Sequence, residues 1–221
     1  GGFYEANKQF IAPLPIPKAS ATQKKNIGDR AQALQDLHTK RRDKLKALEK
    51  RYAACAEKKQ SEDWLFPQAG TLDDWKEQAP DDMQAREKTK WAKEQRKLKL
   101  EECLEHIEAR LSPSAELEAR YDDGELRFLI DGVPVIENVY VNDADGQHIL
   151  TYWQHLARTL SITEKFKAKT LADKLRTTPM TGNADLSAQI ADLSNAIDTL
   201  NQDITARETA LNEAIYELYD L

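Results

Sequence analysis

Between residues 183 and 218, apolar side chains recur at alternating steps of four and three. They are Leu186, Ile190, Leu193, Ile197, Leu200, Ile204, Leu211, Ile215 and Leu218, with one interruption at Arg207. That period places them on one side of an α-helix, as the seam of a heptad pairing. A helix with a single narrow apolar stripe is unstable alone in water and needs a second stripe of similar length. Ile27, Ala31, Leu34, His38, Arg41, Leu45, Leu48, Tyr52 and Cys55 keep the same rhythm. They predict a partner helix over about 19–59, started by Ser20 or Thr22 as its cap. Two seam positions are polar. Either His38 and Arg41 form a register-setting layer, with Arg41 meeting Asp203 or Glu208 near the Arg207 gap, or Leu37 takes over the seam and His38 faces water. The seam pairs either within one chain or between two chains as a homodimer.

The intervening sequence predicts smaller elements. Trp64-Leu65-Phe66 before Pro67 is an apolar knob in an acidic surround, expected to cap the helix bundle. Asp73-Asp74-Trp75 opens a short helix ending before Pro80. Asp63, Asp74 and Lys76 are residue types that metal-dependent nucleases use, but no strand pattern would set them side by side. A helix over 83–111 carries Leu100, Leu104, Ile107 and Leu111 on one face, with Leu98, Cys103 and Trp91 nearby. Its charged first half, Arg86 to Lys99, is expected in solvent. Glu125 to Ile130, Asp131-Gly132 and Val133 to Ile136 read as a β-hairpin, with Val139 to Val141 as a third short strand. The acidic run 142–146 is a turn; it lacks the downstream Glu of a calcium loop. Helix resumes over 146–178, with Ile149, Trp153, Leu156 and Leu160 on one face. Thr163 starts a further helix that buries Phe166, Leu171 and Leu175 and stops at Thr177-Thr178-Pro179. His148 and His155, with no third ligand in view, read as helix-surface histidines.

The fold predicted is mainly α: long antiparallel helices in a coiled-coil-like bundle with a small β-hairpin insert. Four segments follow: an extended segment 1–18, a helical hairpin 19–112 with an aromatic-rich connection, the hairpin insert 113–146, and C-terminal helices 147–221 that complete the bundle.

Composition narrows the class. Charged residues make up 32% of the 221, aromatics 7%, and glycine and proline number 8 each, a helix-rich balance. No apolar run approaches the roughly 20 residues of a membrane span, and Gly1-Gly2-Phe3-Tyr4-Glu5 is not a signal peptide. Cys55 and Cys103 read as free thiols of a reducing compartment, which places the chain in the cytoplasm. The opening without Met and the uncapped final helix suggest an excised segment of a longer protein.

The net charge of −6 is unevenly spread: residues 1–60 hold 14 Lys and Arg against 6 Asp and Glu, and residues 113–150 hold 2 against 9. A basic arm on an acidic body suits a polyanionic partner. Lys8, Lys18, Lys24, Lys25, Lys40, Arg41 and Arg42 are its candidate phosphate contacts, which position a protein on duplex DNA without reading sequence. The alternative is a solvated helix surface. No glycine-rich nucleotide loop, no Cys/His metal spacing and no nucleophile beside a base is present. No catalytic or metal-binding residue is therefore expected.

Short motifs at the two ends carry a resemblance. Phe10-Ile11-Ala12-Pro13-Leu14-Pro15-Ile16-Pro17 has prolines alternating with apolar residues, an edge or extended segment, and a long polar helix follows it. This resembles the exit from the target-recognition domain of N6-adenine DNA methyltransferases, and is similar to the TaqI-like specificity domain of type IIG restriction–modification enzymes. Ala214-Ile215-Tyr216-Glu217-Leu218-Tyr219-Asp220-Leu221 resembles the VYELYGLT ending of the final helix in those proteins, with Asp220 in place of the usual Gly. Together the motifs cover only about 16 residues. The Asn-Pro-Pro-aromatic catalytic motif and the glycine-rich S-adenosylmethionine motif of the family are absent. The resemblance implies a non-catalytic C-terminal scaffold, with 1–18 as the exit strand. It would set the angle and distance of a target-recognition domain from a catalytic core. Double-stranded DNA and the upstream domains would be its partners, with no membrane involved. Methyl transfer from S-adenosylmethionine, and Mg if the parent cleaves DNA, would belong to those upstream domains. The other reading open at this point is a helical protein–protein interaction or oligomerisation module without a nucleic-acid role. The two diverge on whether the basic residues of the first helix line one exposed face.

Overall fold

The structure, a computed structural model, describes residues 19–219. The chain divides into two compact units. One joins the residues up to Ala47 to those from Asn195 onward; the other is Leu48–Ser194.

The first unit is helical. It contains most of α1 (Ala21–Tyr52) and the C-terminal part of α7 (Ala184–Leu218). Ser20 starts α1 as expected. Its Oγ accepts from the Gln23 amide at 3.2 Å, while the Gln23 side chain accepts from the Ser20 amide at 2.9 Å, a reciprocal capping arrangement. The two helices run antiparallel, because Arg30 reaches the carbonyl of Ala210 at 3.0 Å and Arg41 reaches Asn201 at 3.3 Å. Ile197 and Ile204 are buried along α7. Leu200, Leu211, Ile215 and Leu218 are half-buried, as are Ile27, Leu34 and Leu45 of α1. The polar layer exists with different partners from those expected: Arg41 meets Asn201, and His38 lies 3.3 Å from Glu208.

The described residues are mainly helical, as the sequence predicts. The second unit mixes helices with antiparallel strands, α/β in composition only, and its β part is larger than the predicted hairpin. The insert is not a lone hairpin. Strands β2 (Leu117–Asp122), β3 (Glu125–Ile130) and β4 (Val133–Tyr140) form an antiparallel three-stranded sheet in that order. Two Asp-Gly turns join them. Asp123 and Gly124 have φ of 48° and 82°, and Asp131 and Gly132 have 51° and 75°, the left-handed pairs that tight hairpins require. The expected third strand over 139–141 is the end of β4, displaced by a bulge in which Asn138 has φ 61°. Pro134 is tolerated because β4 is an edge strand.

A second, two-stranded sheet was not foreseen. The helix predicted over 19–59 stops at Tyr52, and Cys55 lies in the turn beyond it. Ala56–Lys59 (β1) then pairs antiparallel with Thr177–Met180 (β5), which follows directly from α6 (Ala168–Arg176). The Asn142–Gly146 stretch is not a turn but the start of α5 (Asp143–Thr159), where the Asn142 side chain accepts from the Asp145 amide at 3.0 Å. Gly146 is needed there, since a Cβ would sit 2.5 Å from the Tyr121 ring. Nor does Thr163 start α6. Its first amide, on Ala168, donates to the Glu108 carboxylate at 2.6 Å.

The remaining helices are α2 (Glu62–Leu65), α3 (Leu72–Glu77) and α4 (Ala85–Glu108), with a short 3-10 turn at Pro67–Ala69. The first half of α4 is not free in solvent. Helix α3 covers it, with Trp75 edge-on to Trp91 at 6.1 Å, and Ala92 is fully buried. The Trp64-Leu65-Phe66 knob belongs to this unit's core. Trp64 and Phe128 both meet Trp153 edge-on at 6.0 Å. Around them Leu65, Ile107, Leu126, Ile136, Leu171 and Leu175 lose all solvent contact. No described helix is long and apolar enough to cross a membrane.

Candidate functional site

The cations proposed to meet DNA fall on α1, except Lys8 and Lys18, which lie outside the described residues. Lys24, Lys25, Lys40 and Arg42 are exposed, and Arg41 is half-buried toward Asn201. At about 100° per residue, the outward face of α1 reads Lys25, Asp29, Asp36, Lys40, Asp43, Lys50. The ammonium of Lys25 lies 2.7 Å from Asp29, and Arg42 is 3.8 Å from Asp43. The arm is basic in sum but mixes both signs along its exposed face, so it does not form a continuous positive stripe.

The antiparallel pairing has a consequence for the two end motifs. A shallow groove at one end of the helical unit, about 140 Å³, is lined by Thr22, Gln23, Ile27 and Arg30 of α1 and by Ala214, Glu217 and Leu218 of α7. The described residues that follow the proline-rich segment thus lie beside the segment that carries the C-terminal motif.

The α/β unit holds the only described cluster of buried ionisable rings. His148 and His155 face inward, each 8% exposed, against the expectation of surface histidines. Their seven-residue spacing gives them one face of α5, and Tyr52 packs on that face. Its ring centroid lies 6.5 Å from His148, 5.4 Å from His155 and 5.2 Å from Tyr152. His148 Nε2 is 2.6 Å from the carbonyl of Pro179, whereas the Tyr52 hydroxyl and His155 Nδ1 have no hydrogen-bond partner among the described residues. Burial lowers the pKa of His155 and raises those of Tyr52 and Tyr152. The sequence signal for this cluster was the seven-residue spacing itself, but nothing local placed Tyr52 opposite it.

Other singled-out polar residues serve the fold. Asp63 pairs with Arg96, Asp74 closes the capping box of α3 with Thr71, and Lys76 pairs with Asp73 at 2.8 Å. Glu125, nearly buried, holds the bulge by accepting from the Asn138 amide at 2.7 Å and from Arg127. Cys55 and Cys103 are free and half-buried, and desolvation raises both thiols, which makes them poor nucleophiles. Among the described residues, no group of three or more His, Cys, Asp or Glu could hold a metal ion.

A larger groove, about 510 Å³, opens between α4 and α6. Phe66, Leu72, Leu100, Leu104 and Ala172 form its floor, with basic side chains at its rim.

Comparison of the chain with protein-family models, with curated proteins and with solved structures finds no match.

Proposed function

We propose that this chain is the non-catalytic, C-terminal helical scaffold of a DNA adenine-N6 methyltransferase or restriction–modification protein. The observation that carries the reading is the convergence at one end of the helical unit. Ala214 to Leu218, in the terminal motif, lies against Thr22 to Arg30, a few residues after the proline-rich motif. The described start of α1 and the terminal turns of α7 would then mark one junction, at which the chain leaves a target-recognition domain. A paired helix spacer rooted at that junction would set the reach and angle of the domain.

S-adenosylmethionine belongs to the parent's upstream domains in this reading. DNA contact by this chain would rest on Lys24, Lys40 and Arg42, whose side chains are exposed.

The mixed charge on α1 favours a second reading, a helical interaction or oligomerisation module without nucleic acid. Fluorescence anisotropy with a 30-base-pair duplex separates the two. The scaffold reading expects micromolar binding that weakens steeply with salt and is lost on replacing Lys24, Lys40 and Arg42 by Ala. Absence of binding at low salt, together with concentration-dependent self-association in sedimentation, would establish the second reading instead.

A further inference from the structure

We infer that the groove between α4 and α6 is a docking site for an acidic amphipathic helix of a partner protein. The inference concerns the α/β unit alone and does not rest on the function proposed above.

The shape comes first. On α4 the groove runs from Lys93 to Leu104, about 16 Å at the helical rise, or three turns of a bound helix. Its floor is apolar and open to one side, so a ligand helix would lay side chains at i, i+3 or i+4, and i+7 against Phe66, Leu72, Leu100 and Leu104. The far wall is α6, through Lys169, Ala172 and Arg176.

The rim chooses the charge. Five cations border the groove against three acids. Three of the cations have counter-ions: Arg96 with Asp63 and Glu62, Arg176 with Asp173, and Lys97 with Glu101 at 3.5 Å. Lys93 and Lys169, on opposite walls, have no acidic partner among the described residues. Carboxylates flanking the apolar stripe of a bound helix would supply one, whereas lysines there would be repelled. The N-terminal segment of this chain is a poor occupant by the same rule, since Lys8 and Lys18 outnumber Glu5.

The test is selection of a phage-displayed library of 16-residue helical peptides against the intact chain, with the double variant Lys93→Glu/Lys169→Glu as counter-target. Both lysines are exposed, so the variant should fold, and circular dichroism would verify this. The expected result is enrichment of peptides with a three- and four-spaced apolar stripe flanked by Asp and Glu. Their affinity should fall at least tenfold on the variant and on Leu104→Glu. Three results would overturn the inference: no enrichment, enrichment of basic or uncharged peptides, or equal binding to the variant. Dodecanoate, but not the selected peptides, perturbing the amide signals of Lys93 and Lys169 would overturn it too, and would assign the groove to a small amphiphile.

Discussion

The helical unit and the α/β unit are stabilised in different ways. In the helical unit, Ile197 and Ile204 are buried on α7, while most other seam residues remain half-exposed. In the α/β unit, Trp153, Phe128, Ile107, Leu171 and Leu175 are wholly enclosed, and a sheet supplies one wall of the enclosure. A seam shields each side chain from two sides, whereas a layered core shields it from all. A given truncation should therefore cost more in the second unit, because a cavity there has less freedom to collapse.

The sharpest way to break that contrast is Trp153→Ala. The indole packs between Trp64 and Phe128 and donates to the carbonyl of Leu175 at 2.9 Å. Its loss should destabilise the α/β unit by about 3–5 kcal/mol, read from urea denaturation. Ile204→Ala tests the other side and should cost about 2 kcal/mol, the low end for such truncations. All four tryptophans, at 64, 75, 91 and 153, lie in the α/β unit. Tryptophan fluorescence thus reports that unit, while far-ultraviolet circular dichroism reports both. Ile204→Ala should shift the dichroism transition more than the fluorescence transition; equal shifts would show that the two units unfold as one.

Acid should also separate the units. The folded-state pKa of buried His155 lies below its unfolded value of 6.5, so the unfolded chain takes up the proton first. Stability is complete above that value and declines as pH falls below it, by at most about 1.4 kcal/mol per pH unit for one proton. Burial drives the shift; Glu49 opposes it and Arg158 reinforces it, with Tyr52, Tyr152 and His148 around the cluster. The depressed carboxylates of the same unit, Asp74, Glu108, Glu118, Glu125 and Asp173, begin to matter only below about pH 4.5. The urea midpoint read by fluorescence should therefore fall as pH drops below 6.5, and His155→Gln should flatten that fall. The smallest effect belongs to Glu108→Ala, which uncaps α6 at Ala168 and should cost up to about 1 kcal/mol in the same fluorescence assay.

The contrast extends to what the sequence reveals. A heptad stripe is a local, repeated signal, so α7 and the Ser20 start of α1 were legible. Asp131-Gly132 announced its hairpin, and Asp123-Gly124 carries the same signature one strand earlier. The weaker alternation of Leu117 to Asp122 hid it. Strand β1, Ala-Glu-Lys-Lys, is exposed throughout and is a strand only because β5 pairs with it from more than 100 residues away. No local pattern encodes that. The inward turn of His148 and His155 is likewise tertiary, since it depends on Tyr52 at the end of α1. The basic arm was visible as a sum, but its mixing with Asp29, Asp36 and Asp43 emerges only when the residues are placed around a helix. The groove between α4 and α6 escaped for the same reason: its floor and rim come from separate segments.

The start of α1 and the end of α7 lie side by side within one chain. Spin labels at Gln23→Cys and Glu217→Cys, with Cys55 and Cys103 replaced by Ala, test it by double electron–electron resonance. Antiparallel pairing predicts a label separation under about 25 Å that persists when labelled chains are diluted with unlabelled ones. A separation near the ~48 Å length of α1, or a signal that vanishes on dilution, would contradict it.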